Sequence, residues 1–514
     1  MSRLRYRRLI VAAMVVLALA GIYGAAGAKH PAAAAGQTAR PVRAPVTMAT
    51  RVCPAPGSPA PTAASVAMAA MPASSAGGTA VVSTLTPGGS SAAGSSVATA
   101  DKPGVPQVVG IKTAAPLSAA EKTGTPGSSP SVRTQAGRGG VEVDATGAMA
   151  QGLEVEQTGP GGLVTAQCGA PGTSFWFVGP GQVPAGNIEL YLMNTGSQPA
   201  DAQVSALTDA TKGPPMLGNA DNGITVPPHG MVVQSLSRLL QSSKIIALNV
   251  TTSVGQVAAA VRESRSVHDV GGWLPATQAP ARHLVIPGLP RASGTRTLYL
   301  AVPGSATAQL KITAVTVKGS YQPTGGTGID LPGGSTDAIA LPSLGGVPGA
   351  IAISSSVPVA AAVLVPGGPL GIKGAIAASS GPVREQGVVA DNPARSAAST
   401  ELVLSAPGKA ASVRITTATS SVSAVGQQGR VMQIKAGSSV VIAARPPTGG
   451  KAAQFALVVT PISGSGPVYA GRIITSGGMV QSILPVPSSL TWIPLPVVQN
   501  SLSAIFAAGH SSAG

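Results

Sequence analysis

The side chains able to do acid–base, nucleophilic or metal chemistry are few: 17 acids, five histidines and two cysteines in 514 residues. The histidines are His30, His229, His268, His283 and His510, and only His268 has an acidic neighbour, Asp269. Adjacent residues of a strand point to opposite faces, so that pair does not converge. The acids from residue 185 onward (Glu189, Asp201, Asp209, Asp221, Glu263, Asp269, Asp330, Asp337, Glu385, Asp391 and Glu401) fall singly. A glycosidase needs two carboxylates about 5–10 Å apart across a cleft. Asp201, Asp209 and Asp221 make the nearest set, and their spacing is not that of an EF-hand loop. The chain has no Gly-x-Ser-x-Gly elbow, His-Glu-x-x-His pair, phosphate-binding loop or dinucleotide fingerprint. The sequence therefore predicts no catalytic residue, no metal site and no cofactor. It also predicts no pocket where two carboxylates, or a histidine with Ser, Cys or Asp, converge with perturbed groups.

Two features remain. Phe175, Trp176 and Phe177 form the one dense aromatic cluster, with two of four Phe and one of three Trp. In a strand Trp176 faces away from Phe175 and Phe177, so one side fills a core and the other is free to stack on a sugar or partner surface. Core packing is the favoured reading. Cys53 and Cys168 are an even pair without metal-type spacing, which predicts a disulfide in an exported chain. Closing so long a loop stabilises the fold by about 4–5 kcal/mol in the chain-entropy account.

The elements that position these residues must be strands. Glycine (66) and proline (46) are abundant, charged residues are 10% and aromatics 3%, yet 44% of the chain is apolar. That composition excludes a disordered charged chain and a helical bundle. The net charge of +16 is concentrated at the start, where residues 1–51 hold eight bases and no acid. The remainder is thinly charged, with no basic run interleaved with aromatics, so nucleic acid is not an expected partner.

A basic stretch, residues 1–8, precedes an uncharged segment at 9–28 that predicts an export helix. Its length favours an uncleaved membrane anchor; Ala26-Gly27-Ala28 fits cleavage after Ala28, which would release the protein. Both place the body outside the cytoplasm. Residues 29–51 are a spacer and 52–184 a loosely packed β-domain holding the disulfide.

From residue 185 the chain repeats. Glu189-Leu-Tyr-Leu192 returns as Thr297-Leu-Tyr-Leu300 and Glu401-Leu-Val-Leu404, and Gly230, Gly334 and Gly437 punctuate the copies at intervals of 104 and 103 residues. Alternating strands with frequent Gly/Pro turns predict an all-β chain of tandem immunoglobulin-like sandwiches at 185–270, 293–390 and 398–485. A linker at 271–292 carries Trp273 into an interdomain joint, and 486–514 are a final strand and tail. Period-2 geometry requires Leu190, Leu192, Leu298, Leu300, Leu402 and Leu404 to face inward.

Cys168-Gly-Ala-Pro-Gly-Thr-Ser-Phe-Trp-Phe-Val-Gly179, with Gly147-Ala-Met-Ala-Gln-Gly-Leu-Glu-Val-Glu-Gln157, Gly271-Gly-Trp-Leu-Pro275 and Val285-Ile-Pro-Gly-Leu-Pro290, resembles an actinobacterial family of secreted or membrane-anchored proteins of unknown function. The resemblance covers most of residues 40–480 and carries no catalytic residues. It implies an association with cell-envelope glycosyltransferases through gene context. Three function classes follow: a non-catalytic envelope scaffold or binding module, a glycan-binding accessory to envelope polysaccharide synthesis, and a secreted hydrolase. The first is preferred, with the membrane and cell-wall glycan or another envelope protein as partners.

Overall fold

The computed structural model describes residues 13–17, 19, 43–56, 64–70, 77–88, 92–99, 107–113, 139–158, 165–181, 186–208, 223–237, 240, 243–264, 271–291, 294–342, 344–367, 374–394, 398–419, 429–446 and 454–495. The chain divides into a unit made of residues 1–44 with 493–514 and a unit spanning 45–492. In the first, residues 13–17 are helical and exposed. No helix among the described residues is long and apolar enough to cross a membrane, and most of the expected export segment 9–28 lies outside them.

The larger unit is all-β. After β1 (Arg43–Pro45) come β2 (Met48–Cys53), β3 (Ala64–Ala70), β4 (Thr79–Pro87), β5 (Ala92–Thr99), β6 (Gln107–Thr113), β7 (Gly140–Thr146), β8 (Glu154–Thr158) and β9 (Thr165–Gln167). A second set follows: β10 (Ser174–Pro180), β11 (Asn187–Asn194), β12 (Ala200–Thr208), β13 (Ile224–Val226), β14 (Gly230–Ser235), β15 (Ile245–Val254), β16 (Ala258–Ser264) and β17 (Gly272–Leu274). The third has β18 (Ala281–Leu289), β19 (Arg296–Val302), β20 (Ala308–Thr316), β21 (Gly319–Tyr321), β22 (Ile329–Leu331), β23 (Ser335–Leu341), β24 (Gly349–Pro366) and β25 (Gly374–Ala378). The last has β26 (Gly387–Pro393), β27 (Ala398–Ala406), β28 (Ala411–Ala418), β29 (Arg430–Ile434), β30 (Ser438–Ala444), β31 (Gln454–Pro461), β32 (Tyr469–Ser476) and β33 (Met479–Pro485), before β34 (Trp492–Pro494).

One strand order recurs in all four sets. The first module pairs β2-β7-β4-β5 and β6-β3-β8-β9, the second β10-β15-β12-β13 and β17-β16-β11-β14, and the last β26-β31-β28-β29 and β30-β27-β32-β33. In the third, the sixth and seventh strands are fused into β24, which pairs with β18 and β20 along its first half and with β19 and β25 along its second. Strands β2 to β9, which fall mostly within the region 52–184 that the sequence sets apart as a looser domain, thus have the same order as the three leucine-marked copies. The predicted linker 271–292 is also divided between strands: β17 closes the second module and β18 opens the third.

A hydrogen bond ties the first strand of each module, or in the fourth the residue just before it, to the segment after the eighth. These are Val52 N–H to Gly169 O (2.8 Å), Thr277 N–H to Trp176 O (2.8 Å), Ser380 N–H to Val285 O (3.0 Å) and Ser489 N–H to Gln386 O (2.7 Å). In the first module the Cys53–Cys168 disulfide stands beside that bond.

All six marker leucines are buried, as their alternation requires. Their strands are also apolar on the other face, since Tyr191, Met193, Tyr299, Ala301 and Val403 are buried too. The reason is that a neighbouring module covers that face. Val52 and Leu85 of the first module pack on Tyr191, Met193 and Ala258 of the second. Strand β10 lies on β19 and β24, β18 on β27 and β32, and β26 on β3 and β8. The fourth module therefore packs back on the first, closing a cycle of contacts.

Close approach at these junctions depends on missing side chains. A Cβ on Gly471 would sit 2.4 Å from the Gly288 Cα, and Gly288 itself has φ +81°. Gly471→Ala should therefore destabilise the protein by about 1–3 kcal/mol, whereas Gly381→Ala, with nothing near its Cβ position, should be close to neutral. Equilibrium denaturation of the two variants decides this; equal midpoints would refute the close junction.

Candidate functional site

A cavity of about 210 Å³ lies where the first, second and fourth modules meet. Strand β2 brings Arg51, β8 brings Glu154 and β9 brings Thr165 and Gln167, followed by Cys168. Strand β10 contributes Phe175 and Phe177, β17 contributes Trp273, and the fourth module adds Leu484 and Pro487. The predicted aromatic cluster is thus divided. Phe175 and Phe177 line the cavity, while Trp176 does not; Phe177 is buried in the core shared by the second and third modules, and Phe175 and Trp176 are half-buried against that core. Trp273 meets Tyr191 edge to face, ring centroids 5.2 Å apart, at the joint between the first two modules.

The polar wall is an ion pair. Arg51 donates from Nη2 to Glu154 Oε1 at 3.2 Å and from Nε to Oε2 at 3.4 Å. Ser489 of the fourth module donates to the same Oε1 at 3.0 Å. The Thr165 hydroxyl is buried in this wall with no hydrogen-bond partner among the described residues.

Behind Glu154, β8 sends Glu156 into the junction with the fourth module. Arg472, fully buried on β32, pairs through Nη1 with Glu156 Oε2 at 2.7 Å and also donates to the Asp391 carbonyl. The Thr158 hydroxyl donates to Asp391 Oδ2 at 2.5 Å. Burial pushes Glu156 up to about 7; Arg472 opposes the shift, while Asp391 and Glu154 add to it. Burial raises Asp391 as well, against its Thr158 hydrogen bond and Arg472. Two carboxylates with raised pKa values thus meet here, in a buried junction between modules. The strands that bring them together are far apart in sequence, 233 residues for Thr158 and Asp391, and the modules meet only when the cycle closes. Glu156 and Asp391 are nonetheless outside the cavity lining, which Glu154 alone of the three reaches.

Elsewhere, Glu142 on β7 is buried beside Asp144, and burial together with that neighbouring acid raises it to about 8. Asp144 accepts from the Thr50 hydroxyl at 2.5 Å. A second cavity of about 500 Å³ opens in the fourth module between Leu402, Ile415 and Ile442, with Arg430 and Arg445 at its lining and no acid. Asp201 accepts from Thr225 at 2.7 Å, while Asp209, Asp221, His268 and Asp269 lie outside the described residues. Among the described residues no group of three or more His, Cys, Asp or Glu is placed to hold a metal.

This closed set of β modules, with a buried disulfide and an aromatic cavity, is the class of protein that the fold defines. A family model described as a family of unknown function, DUF5719, matches residues 120–445, and the chain belongs to that family. No curated protein matches the sequence.

The pH dependence has a definite sign. Glu142 and Glu156 bind a proton more tightly folded than unfolded, where a carboxyl sits near 4.5. Their protonation stabilises the fold fully below that value, and the contribution is lost as pH rises through about 7 for Glu156 and about 8 for Glu142. The melting temperature should fall between pH 5.5 and 8.5, and Glu142→Gln should flatten the upper part of that slope. A melting temperature that rises over the interval contradicts these assignments. At pH 8.5, above the value of about 7 for Glu156, Glu156→Leu leaves Arg472 buried without its carboxylate and should cost about 3–5 kcal/mol. Adding Arg472→Met should recover most of it, as measured by a double-mutant cycle.

Proposed function

We propose that the protein is a non-catalytic, extracytoplasmic component of the cell envelope that works as a binding module. The observation that carries this reading is a ligand-sized cavity walled by three modules, with the disulfide cysteine Cys168 in its lining. Structural disulfides persist in oxidising compartments, which supports a body outside the cytoplasm, held by residues 9–28 or released after Ala28. Few convergent polar groups in a concave, mainly apolar lining suit recognition. The acids with raised pKa, Glu156 and Asp391, are sealed in the module junction rather than presented to the cavity, which argues for structure over turnover.

We also read each module as a relative of the immunoglobulin-like sandwich. In the first, second and fourth modules two four-stranded antiparallel sheets share a core, but the first strand pairs with the sixth and the seventh with the second, where the usual arrangement pairs first with second and sixth with seventh. Cell-wall glycan or another envelope protein is the partner class this reading favours, with the glycan-binding role the more specific form.

Labelling intact cells with a membrane-impermeant amine reagent tests the location: the protein should be modified without lysis and should yield no free thiol after denaturation. Modification only after lysis, or two titratable thiols, would overturn the reading.

A further inference from the structure

We propose that the contact between the first and fourth modules is a proton-operated clasp, shut while the junction holds a bound proton and released as the pH rises. The inference concerns how the cycle of modules opens, and it stands whatever the protein binds. Two features of the junction carry it.

The first is a thin apolar contact. On β3 and β8, Ala67 pairs with Glu156 and Ala69 with Glu154, so small alanines and acids share the face turned to the fourth module. Its apolar part is Ala69 against Val388, Ala390, Ala418, Ala456 and Val458, with nothing larger than valine. The other junctions bury Tyr191 and Met193, Phe177 and Tyr299, or Ile473 and Ile483. Stability from apolar burial follows the area removed from water, so the closing junction is the first to open.

The second is an excess of acid. Closing the junction takes Glu154, Glu156 and Asp391 out of water, each 5% exposed or less. Two guanidinium groups stand against these three carboxyls: Arg51 is committed to Glu154 and Arg472 to Glu156. The Asp391 carboxylate is held by the Thr158 hydroxyl, and no lysine or arginine among the described residues lies within ion-pair distance of it. Strand β3 adds no charged group, and Glu385, ahead of β26, turns to Thr491 and the Trp492 N–H. One negative charge is left over, and a buried charge without a partner is neutralised by a proton.

The proton preferences agree with this count. Burial lifts Glu156 to about 7, with Asp391 adding to the shift, and burial lifts Asp391 as well. In the open form water solvates both carboxyls, which return to about 4. Above that range the closed form holds a proton that the open form lacks. Opening therefore gains up to about tenfold per pH unit until the pH passes about 7.

Thiol labelling of full-length variants reads the opening, because Cys53 and Cys168 are joined and do not react. Ala69→Cys and Ala456→Cys report the junction from its two sides, and Ala360→Cys, buried in the core shared by the second and third modules, reports global unfolding. Each rate is divided by that of the urea-unfolded variant at the same pH, which removes the thiol's own ionisation. Both junction sites should label faster than Ala360→Cys, and their rates should rise about 10–30-fold between pH 5.5 and 7.5. Asp391→Asn removes the surplus charge and should reduce that rise to below about threefold. Hydrogen exchange at the Val46 and Gly152 amides, which donate across the junction to Thr491 and Leu490, makes the same pH comparison without a new thiol. Junction labelling no faster than at Ala360→Cys, rates or exchange independent of pH, or a full rise retained in Asp391→Asn overturns the proposal.

Discussion

The contact on which the rest depends is the seating of one module's first strand on the second and seventh strands of another. It occurs between β10 and β19 with β24, between β18 and β27 with β32, and between β26 and β3 with β8. Because it buries the outer face of a sheet whose inner face is already core, it requires strands that are apolar on both sides. It also places first and eighth strands around a common space, so the cavity is a product of closure rather than of any one module. Leu484 and Pro487 reach it only because the fourth module returns to the first.

The junctions are not chemically equal. Those formed along the chain are dominated by apolar side chains and, at Gly288 and Gly471, by bare backbone. The one that joins the two ends carries Glu154, Glu156, Arg472, Asp391, Thr158 and Ser489. An ion pair buried in this way adds little net stability relative to a well-packed apolar contact, but any shift in register leaves charges unmatched. The covalent chain already keeps successive modules near one another. Only the closing pair lacks that help, and there the polar contacts define the register.

Much of the architecture was legible in the sequence. The period of two, the Leu-x-Leu marks and the turn residues identify three copies because Leu190, Leu298 and Leu402 are large and in the same place. The first copy escaped because its second strand, Ala64–Ala70, fills the equivalent core with Val66, Met68 and small alanines, leaving no leucine pattern to match. The disulfide was readable from two cysteines alone. The cavity was not: Phe175 and Phe177 stand out by composition, but Arg51, Glu154 and Thr165 are ordinary residues whose meeting depends on long-range pairing. Leu153-Glu-Val-Glu-Gln157 held one clue, since acids alternating with valine in an apolar strand must find partners when both faces are covered.

Closure also sets an order of events during synthesis. Glu154 and its hydrogen-bond donor Ser489 are separated by 335 residues. At ~5–20 residues per second, a ribosome takes tens of seconds to travel that distance. For that interval the outward face of the first module has no cover, and an uncovered apolar sheet is an invitation to aggregate. Glu154 and Glu156 put two carboxylates on the waiting surface, where water can solvate them until Arg472 and Ser489 arrive.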